Sequence, residues 1–238
     1  MPEPSSRPTV VLVHGAFVDA SGYAGVIREL QQADLDVLAP PNPLRSVATD
    51  AASIRSVIAA IPGPVVLVGH SYGGAIITKA SVGLENVQAL VYLAGFGLDV
   101  DESVLSVQEP FAPSLLVSNA RPSSYEAPGA AGGPDLYIDT KTFRETFCAD
   151  VPADVAAVLA VSQRPVAAAT LNEQCTAAGW KTIPSWFLVS AQDNTINPEA
   201  EQFMASRMGA TTETINASHL AFVSRPVETA AFILSALK

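Results

Sequence analysis

The sequence predicts an α/β fold: one mostly parallel, six-stranded sheet with helices on both faces. Three observations point to it. Short apolar runs alternate with stretches of helical periodicity along the first hundred residues. Two of those runs, Thr9–Val13 and Val65–Val68, are apolar almost throughout, as suits strands covered on both faces. The alternation then lapses after about residue 95 and resumes at Ser185, which marks a long insertion in an otherwise regular pattern.

In chain order, Thr9–Val13 reads as the first strand and stops at His14-Gly15. Tyr23 to Ala33 reads as a helix with Val26, Ile27 and Leu30 on one side. Asp36 to Ala39 is a short strand closed by Pro40-Pro41, and Ser46 to Ala60 is a helix stopped by Pro62-Gly63-Pro64. Val65–Val68 is the next strand, Gly73 to Val82 a helix, and Ala89 to Leu93 a strand. After the insertion come a strand at Ser185–Ser190, a helix at Pro198–Met208, a strand at Thr211–Ile215 and a closing helix at Pro226–Leu237. Residues 1–94 and 184–238 therefore form the expected core, with 95–183 as a cap. The cap is expected to be mostly helical, with a helix over Asp154–Leu171 broken near Pro165 and a short extended piece at Asp135–Asp139. Its Pro/Gly-rich stretch, Arg121 to Pro134, is expected to be its most mobile part.

Composition narrows the function. Acids outnumber bases by 23 to 13, a net charge of −10, and basic residues form no patch. Such a chain repels phosphate backbones and anionic lipid, so neither nucleic acid nor membrane is an expected partner. No apolar run approaches the ~18 residues of a membrane span, and Met1–Pro8 lacks a signal-type apolar stretch, so the expected location is cytoplasmic. Cys148 and Cys175 read as two thiols in a reducing compartment. Three histidines without ligand spacing suggest no metal. The oligomeric state is open, a homodimer included.

The chemistry concentrates at Gly69-His70-Ser71-Tyr72-Gly73, a G-x-S-x-G motif between a strand and a helix. That is the setting of a nucleophile elbow, in which a tight turn raises the serine hydroxyl above the sheet. A serine hydroxyl needs a base. His70 lies on the elbow beside the nucleophile and points elsewhere; His14 ends the first strand and reads as structural. His219, in Asn216-Ala217-Ser218-His219 after the last strand, lies at the same sheet edge as Ser71 and is the expected base. Asp193, after the strand Ser185–Ser190, is the expected acid that orients the imidazole, with Asp99 as runner-up. Glu199 and Glu201 read as acids that complement the dipole at a helix start. The oxyanion requires backbone donors. Tyr72 N–H is one, and Ala16 N–H, in the loop after the first strand, is the expected second, with Phe17 as its neighbouring alternative. Phe17 and Trp180 are the expected substrate-binding side chains; Phe96, Phe111, Tyr125, Tyr137 and Phe143 are further aromatic candidates in and near the cap.

Val11 to Phe17, Gly69 to Gly74, Trp180 to Trp186 and Asn216 to His219 together resemble the bacterial small α/β-hydrolases, a group similar to the plant methyl-ester esterases and hydroxynitrile lyases. The resemblance spans nearly the whole chain. It implies the α/β-hydrolase fold, a triad at Ser71, Asp193 and His219, oxyanion donors at Ala16 and Tyr72, a helical cap, and no cofactor. The lyases carry a threonine at the position of Gly15 and a lysine after the catalytic histidine, where this chain has Leu220. Hydrolysis of a small carboxylic ester is therefore the expected reaction. A lactone, amide or thioester would use the same triad, and a small-molecule-binding protein of the same fold is the competing class. The full fold has two strands before the first strand found here; with eight residues ahead of Thr9, six strands are expected.

Overall fold

The structure is a computed structural model, and its described residues are 7–125 and 133–237. Six parallel strands form the main sheet: β1 (Thr9–Val13), β2 (Val37–Leu38), β3 (Val65–His70), β4 (Val87–Leu93), then, beyond the insertion, β8 (Ser185–Ser190) and β9 (Thr211–Ile215). Their order is β2-β1-β3-β4-β8-β9. The central strands carry the apolar runs: β3 is buried at every position, whereas the edge strand β9 reads Thr-Thr-Glu-Thr-Ile and is largely exposed. That gradient explains why the inner strands were visible as continuous apolar runs.

Helices α1 (Ala24–Gln32), α2 (Val47–Ala59), α3 (Tyr72–Ala80), α7 (Pro198–Arg207), α8 (Ala221–Ser224) and α9 (Pro226–Ser235) cover the sheet. Their starts follow local chemistry. Ser46 caps α2 by accepting from Thr49 N–H, and Asn197 caps α7 with Pro198 at the first turn. No helix among the described residues is long and apolar enough to cross a membrane.

A small region is inserted after β4. It holds α4 (Leu115–Asn119), β5 (Ala120–Ser123), β6 (Asp135–Ile138), α5 (Phe143–Phe147), α6 (Ala153–Val161) and β7 (Val166–Ala167). Helical residues outnumber strand residues in it, in keeping with the helical insertion expected, but it also carries a sheet. Strands β5, β6 and β7 form an antiparallel sheet of their own. The helix expected over Asp154–Leu171 ends at Val161, because Pro165 cannot continue it and Val166 pairs instead with Leu136. Residues 126–132 of the Pro/Gly-rich stretch, on which the expectation of mobility falls, lie outside the described residues.

Polar anchors fix the insertion to the core. Arg45 reaches Asp135 at 2.8 Å and the Pro165 carbonyl at 3.1 Å. Glu173 accepts from the N–H groups of Val47 and Ala48, at 2.7 and 2.9 Å, where the dipole of α2 favours an anion. Arg207 clasps Glu102 and donates to the Gly97 carbonyl at 2.9 Å.

Candidate active site

The turn at Ser71 is built by exclusion. β3 ends at His70 and α3 starts at Tyr72, which leaves Ser71 between them at φ +53°, ψ −124°. Such a backbone is costly for any residue with a side chain and persists where its surroundings enforce it. A Cβ on Gly69 would lie 2.6 Å from the Gly73 carbonyl oxygen, and one on Gly73 would lie 2.3 Å from that of Val13. Neither position has room for a side chain. The turn is also tied to the end of β4. Ser71 N–H donates to Leu93 O at 3.2 Å, and Ser71 O accepts from Gly74 N–H and Phe96 N–H at 2.9 and 3.0 Å.

The loop after β1 lies against this turn. His14 accepts Asn42 N–H on Nε2 at 2.9 Å and donates from Nδ1 to Gly15 O, while Asn42 Nδ2 donates to His14 O. This is the structural role expected of it. The next residues differ in how their N–H groups are used. Phe17 N–H donates to the Arg164 carbonyl at 2.8 Å, so it is occupied. Ala16 N–H and Tyr72 N–H meet no acceptor among the described residues.

His219 follows β9 and is buried, as is Asp193, which follows β8. His219 Nδ1 donates to Asp193 Oδ2 in a very short contact. Asp193 Oδ1 accepts from Thr195 N–H at 2.6 Å and Ile196 N–H at 3.0 Å, which fixes the carboxylate in its own loop. Thr195 Oγ1 and Asn194 Nδ2 tie that loop to the carbonyls of Thr146 and Glu145 in α5. His219 Nε2 has no hydrogen-bond partner among the described residues, Ser71 Oγ included. His70 lies under the site: its Nε2 donates to His219 O at 3.1 Å, and the two rings are 4.6 Å apart. Burial, reinforced by the neighbouring His219, pushes the His70 pKa well below its ordinary value. A neutral His70 can therefore support the backbone of His219 without competing as a base.

Asp99, the runner-up acid, does not join this cluster. It pairs with Lys181 at 2.5 Å and caps its own turn through Val100 N–H. Glu199 sits in the first turn of α7 as expected. Glu201 shares that first turn, but it is also fully buried and accepts Ser190 N–H at 3.0 Å. Its place was encoded in the helical period, since Met204 and Ala205, three and four residues on, are also buried.

A cavity of about 350 Å³ opens at Ser71. Ala16, Phe17, Ser71 and Tyr72 line it from the core, and Thr195 and Ile196 from the Asp193 loop. The insertion supplies Phe96, Val104, Leu116, Leu136, Val166 and Leu171 among others. Among the described residues, no charged side chain lines the cavity. Trp180, expected in the pocket, is not there. Its indole N–H donates to Leu98 O at 2.8 Å and its ring lies 5.9 Å from the Arg207 guanidinium, so it packs at the base of the insertion instead. Phe111 packs on Phe203, Phe143 is buried against Phe147, Tyr125 is exposed beside Arg45, and Tyr137 borders a separate groove. Cys148 and Cys175 are buried free thiols. Among the described residues no group of three or more His, Cys, Asp or Glu side chains is arranged to hold a metal.

Known proteins resemble this chain over most of its length. Alpha/beta hydrolase nvfD of Aspergillus novofumigatus is 28% identical over 227 residues, covering 85% of this chain and 84% of its own. Methylesterase 2 of Arabidopsis thaliana is 21% identical, covering 86% and 85%. The crystal structure of polyneuridine aldehyde esterase superposes with a TM-score of 0.84 at 19% identity, over 96% of this chain and 98% of that one. Residues 10–232 match the Alpha/beta hydrolase family, and the chain belongs to it.

Proposed function

We propose that this protein is a serine hydrolase of small, uncharged carboxylic esters. The observation that carries the reading is the convergence at one sheet edge of a strained, cavity-facing Ser71 and a buried Asp193–His219 pair. Ser71 Oγ attacks the ester carbonyl carbon while His219 Nε2 takes its proton. Asp193 holds Nδ1–H, which fixes the tautomer and stabilises the imidazolium. The bond between Ser71 and His219 closes as substrate enters, since such contacts are often loose in free enzymes. The oxyanion is held by Ala16 N–H and Tyr72 N–H, donors that owe nothing to other acceptors; one such donor is typically worth 10²–10³-fold in rate. The imidazolium then protonates the departing alcohol, and water, activated by the same base, releases the acid.

The lining supports an uncharged substrate, because a charged group in this cavity would lose its hydration and meet no charged partner among the described residues. Gly15 supports hydrolysis over lyase chemistry: a Cβ there would lie 2.7 Å from Ser71 Cβ and 2.8 Å from His70 O, so a threonine has no room. In this reading residues 1–94 and 184–238 are the catalytic core, and 95–183 is a cap that shapes the acyl and alcohol pockets. The test is a panel of p-nitrophenyl esters of rising chain length. Hydrolysis is expected, with Ser71→Ala lowering kcat by on the order of 10⁶ and leaving Tm unchanged. A Ser71→Ala protein that keeps a tenth of the rate would overturn the assignment.

A further inference from the structure

A second acid stands behind the candidate triad. Glu201 is on α7 and wholly buried, and its carboxyl reaches the Asp193 turn through Ser190, whose N–H it accepts and whose carbonyl accepts Asp193 N–H at 3.2 Å. One of its oxygens, Oε2, accepts Ser190 N–H, but Oε1 faces no donor among the described residues. Nor does it have a counterion there. Arg207, further along α7, is engaged with Glu102 and Gly97 O, and no ion pair among the described residues includes Glu201. Two neighbouring dry carboxylates cannot both be charged. Asp193 has claims on its charge: Thr195 N–H, Ile196 N–H and His219 Nδ1–H all donate to it. Glu201 has a single donor. The proton therefore belongs on Glu201, where it turns the orphaned oxygen into a donor and fills the acceptor place that three bonds leave on Asp193.

We propose that Glu201 is a positioning residue that stays protonated and donates a hydrogen bond to Asp193, extending the triad to Glu201–Asp193–His219. This rests on Asp193 being the orienting acid. Burial first, then the negative charge of Asp193, push the Glu201 pKa well above the ordinary carboxyl value, in line with the proton assigned from the contacts. The consequence falls on His219. A donor on the far side of Asp193 draws off part of its charge, so the imidazolium is held less tightly than it would be by a carboxylate without that donor. The titratable groups around His219 are Asp193 in contact, Glu201 behind it, His70 beneath, and Asp150, which reaches the neighbouring Ser218 hydroxyl. Glu201 differs from the others in offering a removable proton to Asp193 itself.

The test uses the full-length protein with Glu201→Gln and Glu201→Leu. Glutamine keeps a neutral donor; leucine keeps volume and removes it. For Glu201→Gln, kcat/KM and the acid limb of its pH profile should match wild type. For Glu201→Leu, kcat should fall on the order of tenfold, the scale of loss for partners behind a functional histidine. Its acid limb should move to higher pH, a shift that simple loosening would not produce. An acid limb lowered by about a unit in Glu201→Gln would mean that the native residue is charged, and would overturn the proposal. So would a Glu201→Leu enzyme with wild-type kcat and pH profile. The infrared difference between wild type and Glu201→Gln at neutral pH adds a readout independent of activity and of whether the leucine variant folds. A protonated carboxylic C=O band in the wild type supports the proposal, and its absence overturns it. The band in a protein without ester hydrolysis would support the shared proton and defeat the esterase reading alone.

Discussion

The Ser71 turn and the inserted region both line the cavity, but they are held in place by different means. The turn is fixed by contacts between backbones: Gly69 and Gly73 pass so close to their neighbours that a Cβ has no space, and Ser71 is bonded to Leu93, Gly74 and Phe96 through its own peptide groups. The insertion is fixed by side chains reaching across long sequence separations, Arg45 to Asp135 and Arg207 to Glu102. A backbone-defined site tolerates little change, whereas a side-chain-anchored one can vary its lining while keeping its place. That contrast fits a fold in which one chemical centre serves many substrates.

Four measurements sharpen the contrast. The largest effect is expected at the centre. Asp193→Asn should lower kcat by about 10⁴ by leaving His219 in the wrong tautomer. Asp99→Asn removes only a part-exposed pair with Lys181 and should leave the rate near wild type, at a stability cost below about 1 kcal/mol. A larger rate loss for Asp99→Asn would move the acid to the other strand. Next, Gly73→Ala should destabilise the protein by about 1–3 kcal/mol or more, because the new methyl must displace the Val13 carbonyl. A thermal melt identical to wild type would show that the turn yields more readily than its contacts imply.

His70 supplies a pH test of the same rigid part. Its folded pKa lies well below 6.5 while the unfolded side chain titrates near 6.5, so its stability contribution is full above that pH and drains away as pH falls through and below it. The loss amounts to at most about 1.4 kcal/mol per pH unit for one group. Denaturation midpoints between pH 7 and pH 5 should therefore fall less steeply for His70→Gln; equal slopes would mean that His70 is not held neutral. The smallest effects belong to the pocket wall and to the base of the insertion. Phe17→Ala should widen the range of accepted esters, since that ring lines the cavity. Trp180→Ala should lower stability and leave the ester profile unchanged, because Trp180 packs on Arg207 and Leu98. A changed profile for Trp180→Ala would place that residue back in the pocket.

What the sequence made legible follows the same division. Gly69 to Gly73, the apolar runs of β1 and β3, and the positions of Asp193 and His219 after their strands are local or topological signals, and they survive translation into a string of letters. The pocket lining is not local. Trp180 was placed in it by composition, although its indole is claimed by Leu98 O, 82 positions away. Of the three strands in the insertion, β6 was legible as the extended piece at Asp135–Asp139, and the other two were hidden. β7 is two residues long and β5 contains Pro122, so neither carries an alternating pattern. The first-turn place of Glu201 was legible, but its burial was not, because a first-turn acid already has an explanation in the helix dipole.

The bond from Phe17 N–H to the Arg164 carbonyl carries a consequence for engineering. It means that the insertion holds the peptide next to Ala16, the donor proposed for the oxyanion, in place. A chimera that exchanges residues 95–183 for those of another hydrolase would inherit a new pocket, yet it would lose this clamp unless the graft brings a carbonyl to the same point. Phe17 N–H would then be released beside Ala16, and the two amides would compete for one oxygen. Transplanted specificity would arrive with impaired turnover, and the repair would be a single main-chain acceptor rather than any side chain in the pocket.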